Sequence, residues 1–192
     1  MKKLFLVLAA PAVLFLSSCG GGSKTDEKAE GTSETSAPAA SETHFKEADL
    51  VDLDMSSAGI NVVAKAPKDS KIIKYEVDGS QNVYGGKFFK MSYKFMDGTV
   101  ADNMALIKGM ATDKELNPGF DKLEDETENG FLKKTTDGKL SFVHMLDLDG
   151  KTLIISDGMP YDVSPDQSTD YTADDIRTEY AAAKACKAKQ AS

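Results

Sequence analysis

The chain has 192 residues, enough for one domain of ordinary size with short appendages. It carries 23 basic and 31 acidic residues, a formal net charge of -8, and no Lys/Arg cluster offsets the excess. Nucleic acid and anionic phospholipid both need a basic patch, so neither is an expected partner of such a surface; its acidity suits solubility.

Lys2 and Lys3 open the chain, and Leu4 to Leu16 (LFLVLAAPAVLFL) is an apolar run of 13 residues interrupted by Pro11. A membrane-spanning helix needs about 20 such residues. A charged start, an apolar middle and small residues at Ser17 and Ser18 predict a secretory signal peptide over residues 1–18 rather than a retained transmembrane helix. Leu16-Ser17-Ser18-Cys19 resembles the lipobox of bacterial lipoproteins, in which an aliphatic residue and two small ones precede the lipidated cysteine. The resemblance implies a diacylglycerol thioether on Cys19, cleavage before it and an acyl chain on the new amine. The implied location is the cell envelope, at the outer membrane, facing the periplasm or the cell surface, with the bilayer as partner through the acyl chains. The competing reading is an ordinary secretory cleavage site that contains a cysteine. Each buried methylene contributes about 0.8 kcal/mol, so three acyl chains would anchor the protein permanently. Loss of Lys2 and Lys3 leaves 21 basic against 31 acidic residues, a net charge of -10.

With Cys19 the lipidated cysteine and residues 20–43 polar and small, residues 19–43 read as anchor plus tether. The segment GGGSKTDEKAEGTSETSAPAASET holds no large apolar residue and cannot offset its own ordering entropy. As a flexible coil it spans roughly 25–30 Å r.m.s.. Lipidation of Cys19 also leaves Cys186 as the only remaining thiol, so no intrachain disulfide is expected.

Residues 44–192 read as a single globular domain. Phe45 to Leu53 alternates loosely as a first strand, followed by a turn at Ser56-Ser57-Ala58-Gly59. Ile60 to Ala66 and Ile72 to Val77 are strands, closed by Pro67 and Asp69 and by Asp78-Gly79. Val83 to Phe95 is an extended segment with a bulge or break at Gly85-Gly86. Thr99 and Asp102 approximate a capping box for a helix whose Val100, Met104, Ile107 and Ala111 share one face, and Asn117-Pro118-Gly119 ends it. Asn129-Gly130, Asp137-Gly138 and Asp149-Gly150 each suit a tight turn at positive φ. They predict a four-stranded antiparallel meander: Phe120 to Thr127, Phe131 to Thr135, Leu140 to Leu148 and Thr152 to Ser156. Residues 157–171 read as a loop. A last helix runs from about Ala173 to Lys187, capped by Thr172 and Asp175, with Ile176, Tyr180 and Ala183 as its buried stripe.

Strands, helix, meander and helix make an α+β fold, a largely antiparallel sheet covered by two helices. Ala66-Pro67-Lys68-Asp69, the mid-chain helix and the Asn129-Gly130-Phe131 to Asp149-Gly150-Lys151 meander with its C-terminal helix resemble the Mog1/PsbP-like α/β/α sandwich and small lipoprotein domains of Gram-negative bacteria. The resemblance implies a binding or assembly module and carries over no residue roles.

Candidate chemistry is sparse. His144 alternates with Phe142, Leu146 and Leu148 and so shares an apolar face, as a core or cavity-lining histidine. A pocket of His144, Tyr93 and Asp147 is the arrangement on which an enzyme, hydrolase-like, would depend. His44 falls at the tether boundary and is expected to be exposed. Asp147-x-Asp149-Gly150 begins a calcium-loop pattern but lacks its later ligands. Asp121, Glu124, Asp125, Glu126 and Glu128 form an acidic run, read as a solvated strand face or a weak divalent-cation site. Met91, Met96, Met104, Met110, Met145 and Met159 do not share a spacing that would gather them around a soft metal. No Gly-x-Ser-x-Gly, HExxH, phosphate-loop or Cys/His cluster occurs. The expectation is therefore a membrane-anchored, non-enzymatic binding or assembly module with no cofactor and no metal, whose partner is another envelope protein or a small apolar ligand. The alternatives are an enzyme with a site around His144 or a metal-responsive envelope lipoprotein.

Overall fold

The structure, a computed structural model, describes residues 43–158 and 170–189. The expected signal peptide, Cys19 and nearly all of the tether lie outside the described residues, as do most of the 157–171 loop and Met159. After a 3-10 turn at Glu47–Asp49, the elements are β1 (Leu50–Asp54), β2 (Val62–Pro67), β3 (Lys71–Lys74), β4 (Gln81–Gly85) and β5 (Phe89–Met96). Then come α1 (Val100–Thr112), β6 (Phe120–Thr127), β7 (Gly130–Thr135), β8 (Leu140–Leu148) and β9 (Lys151–Ser156). The last two are α2 (Ala173–Lys184) and a two-residue strand, β10 (Lys187–Ala188).

The strands form two antiparallel sheets. One has the order β3-β4-β5-β9-β8-β7-β6 and the other β1-β2-β10. The α+β class holds: two helices and mostly antiparallel strands. Each meander strand lies within one residue of where the turn signals predict it, and each pairs with the next. The sheet order adds what local pattern does not carry. β9 closes the meander against β5, so α1 must carry the chain from the sheet interior to its far edge at β6.

Side-chain alternation splits the core into two. Phe142 on β8 and Leu153 and Ile155 on β9 face α2 with Ile176, Tyr180, Ala182 and Ala183. Val62, Ala64 and Ala66 of β2 join the same cluster from the small sheet. Their small side chains let α2 lie close to β2. On the other face Met145 and Phe131 pack with Met104 of α1, edged by Val100, Ile107 and Ala111. The helical stripe read from the sequence is the one that α1 buries. The layers are α1, the seven-stranded sheet, then α2 with the small sheet.

Local chemistry explains the boundaries and several corrections. The first strand is shorter than expected, because Glu47–Asp49 takes a 3-10 turn before Leu50. β3 stops at Lys74 rather than Val77; Tyr75 and Ser80 close a turn in which Gly79 has φ +73°. Gly85-Gly86 is not a break within one strand but the corner of a β4–β5 hairpin, with Gly86 at φ +64°. Gly85 itself admits no side chain, since a Cβ there would lie 2.7 Å from the Pro67 ring and 2.6 Å from Ser70 Oγ. That approach joins β2 to β4 at the corner between the sheets. Asp149 (φ +55°) and Gly150 (φ +80°) form the tight turn expected of them. Asn129-Gly130 does not: Glu128 and Asn129 make the turn and Gly130 is a buried β7 residue. α2 ends at Lys184, and Lys187 belongs to β10 instead.

Candidate functional site

The inner face of α2 carries two acids one turn apart, Asp175 and Glu179, both without exposed surface. A helix that packs on a sheet normally fills such positions with apolar residues, as Ile176, Tyr180 and Ala183 do here. The two carboxyls have opposite surroundings.

Asp175 is saturated with donors. The Thr172 N–H donates to Oδ2 at 2.8 Å and the Thr172 hydroxyl accepts from Asp175 N–H at 3.1 Å, completing the expected capping box. The same carboxylate reaches 131 residues back along the chain. It accepts the His44 N–H at 2.7 Å and the Thr43 hydroxyl at 3.0 Å on Oδ1, and His44 Nδ1 at 2.7 Å on Oδ2. Burial works to raise its pKa, but the His44 and Thr172 hydrogen bonds outweigh burial and hold it below the usual carboxylate value. His44 is stacked on Phe88, ring centroids 3.6 Å apart, and Phe45 meets Phe89 edge-on at 5.3 Å. Thr43 to Phe45 thus form a clasp on the N-terminus of α2 and the β4–β5 turn. His44 is exposed as expected, and it is also fixed in place.

Glu179 is poorly served. Oε1 accepts the Lys90 backbone N–H at 2.8 Å, and Oε2 has no hydrogen-bond partner. Burial drives its pKa well above the usual value; the Lys90 N–H opposes this, and the charges of Asp157 and Asp175 reinforce it. Asp157, just past β9, is itself pushed up to about 7 by burial against opposing backbone hydrogen bonds and the charges of Lys133 and Lys90. Burial, then Glu179, Asp175 and Asp157, push the Tyr171 hydroxyl up as well. The buried Lys90 side chain passes against Gly158, and its ammonium lies 5.6 Å from the centre of the Tyr84 ring.

The structure does not gather His144, Tyr93 and Asp147. Tyr93 pairs with Ile155 and Ile155 with His144, so Tyr93 and His144 share a row and a face with Ile155 between them, about 10 Å apart by strand spacing. The Tyr93 hydroxyl points to Met91 Sδ at 4.0 Å. Asp147 is exposed on the opposite face and accepts the Gly150 N–H at 3.2 Å within its own turn. His144 is buried beside Gly130 and Tyr180, with Nδ1 lacking a partner. Burial, then the Lys184 charge, lower its pKa and keep the ring neutral. Cys19 lies outside the described residues. Cys186 is buried just past α2, and burial pushes its thiol up to about 12.

Three acids of the acidic run, Glu124, Asp125 and Glu126, make ion pairs. Glu124 bonds Arg177 of α2 at 2.8 Å and Lys122 at 3.1 Å, and Glu126 bonds Lys108 of α1 at 2.7 Å. Asp125, at φ +46° in a β6 bulge, turns to Lys184, while its carbonyl accepts the Tyr180 hydroxyl at 3.2 Å. Among the described residues no three His, Cys, Asp or Glu side chains are grouped to hold a metal ion.

Sequence reasoning placed Asp175 only as a cap and passed over Glu179. The available signal was its position: Glu179 falls between Ile176, Tyr180 and Ala183 on the stripe already read as buried. Nothing in the sequence ties His44 to Asp175. Comparison with protein-family models, curated proteins and solved structures finds no match.

Proposed function

We propose that the protein is a lipid-anchored lipoprotein of a bacterial envelope whose domain is a non-enzymatic binding or assembly module. One observation carries the anchoring: a basic start, a 13-residue apolar run and Leu16-Ser17-Ser18-Cys19 in immediate succession. Acyl chains on Cys19 hold the protein to the outer membrane, and residues 20–43 let the domain stand off the bilayer. A net charge of -10 on the mature chain suits a domain that avoids the anionic lipid surface beside it.

The reading of the domain as a binding module is supported by what its polar side chains do. Asp175 caps a helix and holds the clasp; Asp147 serves its own turn; Glu124, Asp125 and Glu126 of the acidic run make ion pairs. The layering of helix, sheet, and helix with a second sheet supports likeness to the Mog1/PsbP-like sandwich. The partner class is another envelope protein or a small apolar ligand.

Metabolic labelling with an alkyne fatty acid in a bacterial host tests the anchor. The wild type is expected to take up label and fractionate with membranes, and Cys19→Ala to lose both. Unlabelled wild type in the soluble fraction would refute the anchor. An activity screen tests the domain: turnover abolished by His144→Ala would replace the binding module with an enzyme.

A further inference from the structure

Glu179 is fully buried and its carboxyl oxygens are unequal, one held by a single backbone N–H and the other by nothing. One neutral donor does not compensate a buried carboxylate charge. A neutral carboxylic acid leaves only one hydroxyl unserved, which costs less. The neighbouring groups weigh the same way. Asp175 lies one turn earlier on α2 and Asp157 comes from the end of β9; Lys90 of β5 is the cation that opposes them. Among the described residues, Tyr93 of β5, Tyr171 before α2 and Cys186 after it are further titratable groups facing this region. All three stay neutral, because burial raises each.

We propose that the seated position of α2 against β5 is a proton-bound state, with Glu179 a neutral acid, and that lifting residues 173–179 of α2 from the sheet releases the proton. Asp175 rides on the preceding turn, so the same motion opens the clasp on Thr43 and His44. Proton uptake at the buried acid thereby closes the contact that holds the start of the domain to its last helix.

The sign follows from linkage. Lifted, Glu179 has the ordinary carboxyl value; seated, a raised one. Seating is fully favoured below the ordinary value and weakens as pH rises toward the seated value, about tenfold per pH unit for one proton. Asp157 adds a second proton of the same sign up to about pH 7, so the informative quantity is the difference between wild type and Glu179→Gln. Glutamine keeps the acceptor for the Lys90 N–H and nearly the same volume.

Amide hydrogen exchange on the full chain between about pH 5 and pH 9, corrected for intrinsic base catalysis, reads that difference. In the wild type, protection of α2 and of Thr43 to Phe45 should fall with pH. In Glu179→Gln the fall should be shallower by about tenfold per pH unit. Equal slopes in the two proteins would overturn the proposal. Infrared difference spectra decide independently of whether the glutamine variant folds. On an Asp157→Asn background at neutral pH, the carbonyl band of a protonated carboxylic acid should persist; its absence would show Glu179 ionised and end the argument.

Discussion

Gly130 has no room for a side chain. A Cβ there would lie 2.6 Å from the Val143 carbonyl oxygen and 3.0 Å from both His144 Nδ1 and the Tyr180 hydroxyl. The nearest atom is backbone and cannot swing away, so Gly130→Ala is expected to cost about 1–3 kcal/mol in urea unfolding. Asp175 is the residue with the most to lose. Asp175→Asn removes a charge that several donors converge on, and should cost about 2–3 kcal/mol near neutral pH. Its pKa is depressed on folding, so this stabilisation is present above the usual carboxylate value and lost as pH falls through the depressed one. Wild type and variant should therefore converge in urea titrations only as the pH falls below the ordinary carboxyl range. At this scale the sequence was a partial guide. The capping role of Asp175 is local, three residues from Thr172, and was readable. The bond to His44 is set by the whole fold and was not. Glycine before a β-strand reads as a turn residue by composition, yet Gly130 is required for close approach.

The elements themselves are largely legible, because their signals are short-range. Turn dipeptides bound the meander strands and helical spacing fixes the buried face of α1. What local pattern lacks is which strands pair across a crossover: nothing near β5 or β9 says that they are neighbours. One polar junction makes that crossover rigid. Asn103 on α1 donates to the Thr152 hydroxyl at 2.9 Å and the Asp97 carbonyl at 3.1 Å, and Thr152 donates to the Gly98 carbonyl at 2.9 Å. Thr152 is fully buried, so Thr152→Val leaves the Asn103 amide and Gly98 carbonyl short of a partner. The expected loss is about 1–3 kcal/mol by thermal or urea unfolding, with α1 amides exchanging faster than those of α2. The ion pairs of β6 act differently: three successive acids reach to two helices on opposite faces of the sheet. Each is exposed and contributes at most about 1 kcal/mol. Their position at a sheet edge also places charge where another strand would otherwise pair.

For the whole molecule, the thiol provides a direct test of anchor and fold together. Cys186 is buried with its thiol pushed up, so an aqueous thiol reagent should react only as fast as the domain opens. If Cys19 carries lipid, the unfolded full-length protein should titrate as one thiol per chain; two would show Cys19 free. The charge balance was legible because it is a property of composition alone. The layered arrangement was legible as a class and not in its order, since the small sheet is assembled from β1, β2 and β10 across most of the domain.

That small sheet and the clasp together set a timetable. Val62 and Val63 wait for Lys187 and Ala188, and His44 waits for Asp175. β1 and β2 can pair early, but the start of the domain completes its contacts only with segments that leave the ribosome near the end. Such long-range closure is slow, and it defers completion of the fold until nearly all of the chain has been made. A chain ending at residue 169 is therefore expected to show no cooperative unfolding transition, because it lacks α2 and β10 entirely. Until their partner strands are made, the edge of β2 that β10 covers and the edge of β5 that β9 covers stay open. The acidic excess of the chain then works as mutual repulsion between neighbouring newcomers, at the stage when they are most prone to stick to one another.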